Sequence, residues 1–266
     1  MKRLILPLCG LVIIGGFLIY RIYRTPCQPY PETAVVRTVI DGDTVIFNSG
    51  HECRYIGIDT PEVHIRKGSD WEYQPALFSL KAKKRNEELV LGQTVQIEYD
   101  REQTDKYGRL LAYLYVDEIM VNETLLSEGL GFLLVIPPNV RYVSRFHEAV
   151  HRAYTDTIGI WDRSVVPVIS AADASHHMGK LVRIRERITE IVDAGPTMKL
   201  ILDPHRVPHE NCRFVIFNNT IRLFEELKPL DRFKNSLVEV TGFIKDYNGP
   251  EIIINSPEQI SLVSEL

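Results

Sequence analysis

Val35-Val36-Arg37-Thr38-Val39-Ile40-Asp41-Gly42-Asp43-Thr44-Val45-Ile46-Phe47 is the stretch on which the fold turns. Residues 35–40 and 44–47 are rich in β-branched side chains. The Asp41-Gly42 pair between them suits a tight hairpin, because glycine tolerates a positive φ. A third run, residues 53–58, reads as a strand. Asp59-Thr60-Pro61 ends it, since Pro61 has no N–H to donate and turns Thr60 away from helix. After a loop, residues 75–91 read as a helix, with Pro75 in its first turn and Gly92 beyond its end. Residues 94–100 and 110–116 alternate as strands across the polar turn Thr104-Asp105-Lys106-Tyr107-Gly108-Arg109. Asn122 is expected to cap a short helix that runs to Glu128 and stops at Gly129. A further helix is expected over residues 142–156, with Trp161 packing this part of the chain shut.

Beyond Pro167 the pattern restarts. Ser170 caps a short helix, and residues 180–191, 198–202 and 212–217 read as strands. A helix over 221–227 follows, then strands over 237–245 and 251–254 around Asn248-Gly249. Five strands with one inserted helix argue for a small Greek-key barrel of the OB-fold arrangement. The expected class is therefore α+β and mostly β.

Composition excludes several alternatives. The 266 residues are 45% hydrophobic and 25% charged, which fits neither a disordered chain nor a collagen-like one. Four cysteines, with no Cys-x-x-Cys pair, make neither a disulfide framework nor a zinc ribbon. The formal net charge of −4 lacks the basic footprint of many nucleic-acid binders, so any such contact has to be local. Residues 1–24 hold an uncharged apolar run, Leu4 to Tyr20, flanked by Lys2, Arg3, Arg21 and Arg24. The run suits a single-pass membrane anchor or a signal segment, and the lack of a small-x-small cleavage site favours an uncleaved transmembrane anchor over a secreted product. Residues 25–33, with Pro26, Pro29 and Pro31, read as a stiff linker.

The blocks Val39-Ile40-Asp41-Gly42-Asp43-Thr44, Arg54-Tyr55-Ile56-Gly57-Ile58-Asp59-Thr60-Pro61-Glu62 and Thr104-Asp105-Lys106-Tyr107-Gly108-Arg109 follow one another in this order. Met120-Val121-Asn122-Glu123 and Gly159-Ile160-Trp161 come after them. Together they resemble the staphylococcal nuclease (thermonuclease) family over residues 34–162. The resemblance implies an OB-fold-like five-stranded barrel with helices over residues 34–163. It also implies cleavage of DNA and/or RNA on the 5′ side of the phosphodiester, which leaves 3′-phosphate ends.

The residue types suit that chemistry. Negative charge builds on the phosphoryl oxygens during hydrolysis and needs fixed cations, with a water placed opposite the leaving oxygen. Asp43 and Asp59 offer two hard oxygen ligands for Ca²⁺ and leave positions for water and phosphate. Arg54 and Arg109 offer planar forks of donors that stay charged. The resemblance adds the backbone carbonyl of Thr60 as a third metal ligand and Glu62 as the general base. It adds Lys106 and Tyr107 as contacts to a neighbouring phosphate. After Gly131 the chain reads Phe132-Leu133-Leu134-Val135-Ile136-Pro137-Pro138, where well-known members carry tyrosines that flank a base.

Residues 168–266 look like OB-fold domains of the tRNA-anticodon-binding type, on Ser170-Ala171-Ala172-Asp173-Ala174, Gly179-Lys180-Leu181-Val182 and Val238-Glu239-Val240-Thr241-Gly242-Phe243-Ile244. Lys180, Arg183, Arg185 and Arg187 with Phe214, Phe217, Phe243 and Tyr247 would form a single-strand groove, and a purely structural or partner-binding barrel is the equal alternative. His147-Glu148-Ala149-Val150-His151 matches the zinc-peptidase pattern but lacks a third ligand in sequence. The expectation is a membrane-anchored calcium-dependent nuclease with its body outside the cytoplasm. A catalytically silent nucleic-acid or protein-binding module is the alternative.

Overall fold

The computed structural model describes residues 30–67, 70–202, 212–227 and 229–264; the apolar run over residues 4–20 lies outside them. Among the described residues no helix is long and apolar enough to cross a membrane.

The strands of the first sheet are β1 (Thr33–Val39), β2 (Thr44–Phe47), β3 (Glu52–Tyr55), β7 (Thr94–Glu98) and β8 (Leu110–Val116). β1 pairs with β2 and β7, β2 with β3, β7 with β8, and β3 runs parallel to β8, so the path closes on itself. This is the five-strand barrel expected for residues 34–163, with no unpaired edge along that path. Alternation fills it: in β7, Val95 and Ile97 point inward while Thr94 and Gln96 are exposed. Between β3 and β7 lie β4 (Ile58–Asp59), the hairpin β5 (His64–Lys67) and β6 (Asp70–Tyr73), and helix α1 (Ser79–Val90). β9 (Ile119–Met120), α2 (Val121–Ser127), β10 (Phe132–Leu133) and α3 (Val143–Thr155) complete this part.

The second sheet repeats the plan. Its elements are β11 (Val168–Ile169), β12 (Leu181–Arg187), β13 (Glu190–Asp193), β14 (Thr197–Ile201), β15 (Arg213–Phe217), α4 (Asn218–Leu227), β16 (Leu237–Asp246), β17 (Pro250–Ile253) and β18 (Ile260–Leu262). β12 pairs with β16, β16 with β17, β17 in parallel with β15, β15 with β14, and β14 with β13. β12 and β13 form one bent strand. At the bend the Ile188 N–H goes to Ser236 O on one side, and the Thr189 N–H goes to Ile201 O on the other. Counting the bent strand once, both sheets run in the order first, second, third, fifth, fourth, with a helix between the third and fourth. The chain from Thr33 onward packs as one compact unit.

Several local expectations change. Gly42 does not take a positive φ. A Cβ there would sit 2.7 Å from the Thr60 side chain and 2.8 Å from Ala82, so close approach is what requires glycine. The expected helix over 75–91 starts only at Ser79, because Phe78 holds φ 68 and breaks the turn. Asn122 is no cap; Met120 precedes the helix, and the buried Asn122 side chain braces the barrel. It accepts from Leu114 N at 3.0 Å and donates to Ile56 O at 2.9 Å. The single strand expected over 180–191 is broken at Ile188-Thr189.

The two barrels meet through side chains. Phe132 packs edge-on against Trp161 at 5.3 Å and against Phe243 of β16 at 5.6 Å. Arg183, Arg185 and Arg163 converge on Glu239. His147 Nε2 and His151 Nδ1 both approach Oε1 of Glu258, at 3.1 and 3.2 Å. The peptidase-like histidines thus bind a carboxylate of the second barrel. Cys53, at the third strand of the first barrel, and Cys212, just before the third strand of the second, are free and buried. Burial pushes both thiols up, Cys212 to about 12.

Candidate active site

Asp43 is placed by the loop between β1 and β2. Its N–H donates to Asp41 Oδ1 at 3.0 Å, a local turn that an Asp at the first position favours. The carbonyl of Asp41 accepts from Asn86 Nδ2 at 3.1 Å, so α1 fixes the loop from behind. The Asp43 side chain is fully buried. Its Oδ2 accepts from the Thr60 N–H at 2.7 Å and from the Thr60 hydroxyl at 2.9 Å. Its Oδ1 accepts from the Thr44 hydroxyl at 3.0 Å and from Nη1 of Arg54.

Arg54, on β3, reaches both aspartates. Nη2 donates to Asp59 Oδ1 at 2.7 Å and to Ile58 O at 3.4 Å. Glu62 follows the turn at Pro61, and its carbonyl accepts from the Ala76 N–H at 3.0 Å, which ties it to the chain leaving the β5–β6 hairpin. Arg109 sits beside β8, its Nε donating to Asp105 Oδ2 at 2.7 Å and its Nη1 3.9 Å from Glu52. Arg54, Glu62 and Arg109 line one cleft of about 410 Å³ together with Asp41, His64 and Trp71.

The electrostatics are unbalanced toward negative charge. Asp41, Asp43, Asp59 and Glu62 all act on the one Arg54 guanidinium, and their charge holds it protonated against its burial. Burial raises Asp43 to about 7, with Arg54 pulling it back and Asp41 and Asp59 adding to the rise. Burial and then Glu62 raise Asp41. Glu62 meets solvent on one side and protein on the others; partial desolvation, then the charge of Asp43, raise it to about 7. Such a surplus of hard oxygen anions is what a divalent cation neutralises. As they stand, no three described His, Cys, Asp or Glu side chains converge to hold a metal. The guanidinium of Arg54 spans Asp43 and Asp59 instead.

Of the residues singled out in sequence, Asp43, Arg54, Asp59 and Thr60 are joined by direct contacts, and Glu62 and Arg109 share the cleft that Arg54 lines. Lys106 and Tyr107 stand apart on the exposed turn before β8. Lys106 Nζ lies 5.1 Å from the Tyr107 ring centroid, and Arg109 lies 5.8 Å from it. Half of the expected second-barrel groove is committed elsewhere: Phe214 is core, Arg183 and Arg185 bind Glu239, and Phe243 packs on Phe132, while Phe217 and Tyr247 are exposed.

Three contributors carried no readable signal. Lys245 of β16 reaches within 3.7 Å of Asp59 Oδ2. His64 and Trp71 enter from a hairpin whose charged strands show no core-facing alternation. A second cleft of about 630 Å³ lies between the barrels, with Asp59, Glu62, Ile65, Lys180, Phe243 and Lys245 in its walls.

Residues 52–163 match the family model described as Staphylococcal nuclease homologue. Endonuclease YncB of Bacillus subtilis (strain 168) is 44% identical over 130 residues, 47% of this chain and 59% of that protein. The SPbeta prophage-derived endonuclease YokF of the same strain is 42% identical over 130 residues, 47% of this chain and 42% of its own length. A thermonuclease from Staphylococcus intermedius is 36% identical over 135 residues, 50% of this chain and 77% of that protein. The chain thus spans less than two thirds of the two Bacillus proteins.

Proposed function

The chain belongs to the family of staphylococcal nuclease homologues, and from that membership and the cluster around Arg54 we propose that it is a metal-dependent nuclease hydrolysing phosphodiester bonds of DNA, RNA or both. The observation that carries the reading is the shared cleft of Arg54, Glu62 and Arg109 beside a surplus of buried carboxylate. A phosphate in that cleft takes the donor forks of Arg54 and Arg109 on its equatorial oxygens. Glu62 orients the attacking water or takes its proton, and its proton affinity near neutrality suits that work. The ion proposed is calcium, a hard cation suited to oxygen donors; Asp43, Asp59 and the carbonyl of Thr60 would hold it, and it would supply neutralisation of the charge developing on the phosphoryl oxygens. Lys106 and Tyr107 contact a neighbouring phosphate, and the products carry 3′-phosphates.

In this reading residues 34–163 are the nuclease and residues 168–266 an accessory OB barrel that retains or presents nucleic acid. Residues 1–24 anchor the protein in a membrane, or direct its secretion, with the body outside the cytoplasm, where calcium is plentiful and the genome is out of reach.

The test is hydrolysis of single-stranded DNA and RNA by the full chain, with calcium or with a chelator, beside Glu62→Gln and Arg109→Ala. Calcium-dependent cutting that both substitutions abolish is the expected result. Oligonucleotide binding without cutting by the unsubstituted chain would replace the reading with a catalytically silent binding module.

A further inference from the structure

The β5–β6 hairpin is a partition with two unlike faces. Its register pairs His64 with Tyr73 and Arg66 with Trp71, so positions 64, 71 and 73 share one face and Ile65 lies on the other. His64 and Trp71 line the catalytic cleft, whereas Ile65 lines the cleft between the barrels. The aromatic face is open: Trp71 is 68% exposed and Tyr73 62%. Tyr73 meets the His64 ring edge-on at 5.6 Å and steadies it.

An indole placed for packing is buried, as Trp161 is at 4% exposure, because its large apolar surface drives it out of water. Trp71 leaves that surface in solvent, against the same cavity that holds Arg54 and Arg109. A phosphate gripped by the two arginines carries a sugar and base with it. The wall next to them offers Trp71 and His64 as its rings. Residues 132–138 supply none: Phe132 is packed between Trp161 and Phe243 and does not line the cleft.

We propose that Trp71 is a nucleobase platform, on which a base adjacent to the scissile phosphate stacks while Arg54 and Arg109 hold the phosphate. The proposal rests on the nuclease reading of the same cleft and adds one substrate-positioning residue to it. Stacking accepts every base, since each has a π-face, but it needs a base released from its own helix.

The experiment uses the full-length chain in chelator, so that binding is read without hydrolysis. Single-stranded hexadeoxynucleotide and an abasic oligomer of equal phosphate number are titrated while tryptophan fluorescence and anisotropy of labelled oligomer are followed. The chain has two tryptophans and Trp161 is buried, so quenching reports Trp71. The base-bearing oligomer is expected to quench. Trp71→Ala should bind it about tenfold more weakly, within the range of one base stacked on one ring, and Trp71→Phe should restore most of the loss. The abasic oligomer should bind both forms alike. Binding without quenching, equal losses for base-bearing and abasic oligomers, or no binding by the unsubstituted chain would each overturn the platform. Absence of hydrolysis in calcium would instead sink the nuclease reading, and the quenching result would still be read on its own.

Discussion

Lys245 Nζ lies 3.7 Å from Asp59 Oδ2, so a lysine of the second barrel pairs with a carboxylate that sequence assigns to the chemistry of the first. The other Asp59 oxygen is held by Arg54. If Asp59 is a metal ligand, Lys245 is a charge competing with the ion. Lys245→Gln should then raise calcium affinity about two- to fivefold, the size of one unit charge removed at several ångströms in a solvated site. Isothermal titration with calcium measures it, and unchanged affinity would show that Lys245 has no hold on the metal site.

Stability should separate the charged residues of the cleft where activity does not. Glu62→Gln and Arg54→Ala should each lower kcat by about a hundredfold or more. The charge of Glu62 is disfavoured by partial desolvation and by Asp43, so at neutral pH its replacement by Gln should hold the melting temperature or raise it. Arg54→Ala leaves Asp43 buried without its cation and should cost about 3–5 kcal/mol. Thermal unfolding of the two variants side by side checks this; equal melting temperatures would mean that the Arg54–Asp43 pair contributes nothing to the fold.

Gly42→Ala tests the loop itself. The added Cβ would lie 2.7 Å from Thr60 and 2.8 Å from Ala82, so the loop has to move. A loss of about 1–3 kcal/mol is expected, as for other overpacked sites. Because Thr60 is the residue displaced, its two hydrogen bonds to Asp43 should weaken, and activity should fall further than the stability loss alone predicts. Denaturant unfolding and kcat, measured together, separate the two effects.

Acid should weaken the seam between the barrels through Glu258. Burial acts to raise this carboxyl, but its contacts with His147 and His151 outweigh that and hold it below its ordinary value of 4.5. A carboxyl depressed in the folded state contributes stability above that value and loses it as pH falls through the folded one. The melting temperature of the parent protein should therefore drop more steeply below about pH 4.5 than that of Glu258→Gln. Parallel melting curves for the two across that window would remove Glu258 from the account.

The core of the site was legible because it is local. Asp43, Arg54, Asp59 and Glu62 lie on one hairpin, the next strand and the turn after it; short-range rules of strand and proline give those elements, while the role expected of Glu62 came from the resemblance alone. Two residues were read correctly as important but for the wrong cause. Gly42 is required by the approach of Thr60 rather than by φ, and Asn122 braces β8 from inside a helix rather than capping it. The rest had no local sign. Lys245 with Asp59, Glu258 with His147 and Phe243 with Phe132 join residues about a hundred or more positions apart, and no period in the chain encodes such contacts. The β5–β6 hairpin was missed because neither of its faces enters the core, so neither shows the alternation that burial imposes.

The two buried thiols stand at matching places, each at the head of its barrel's third strand. Both are fully buried, so neither meets a reagent until the third strand of its barrel loosens. An alkylating agent applied under native conditions therefore finds a clock in each half of the molecule: modification of Cys53 times the opening of the first barrel, and that of Cys212 times the second. Equal rates would mark a body that opens all at once, and a faster Cys212 would mark a second barrel that breathes by itself.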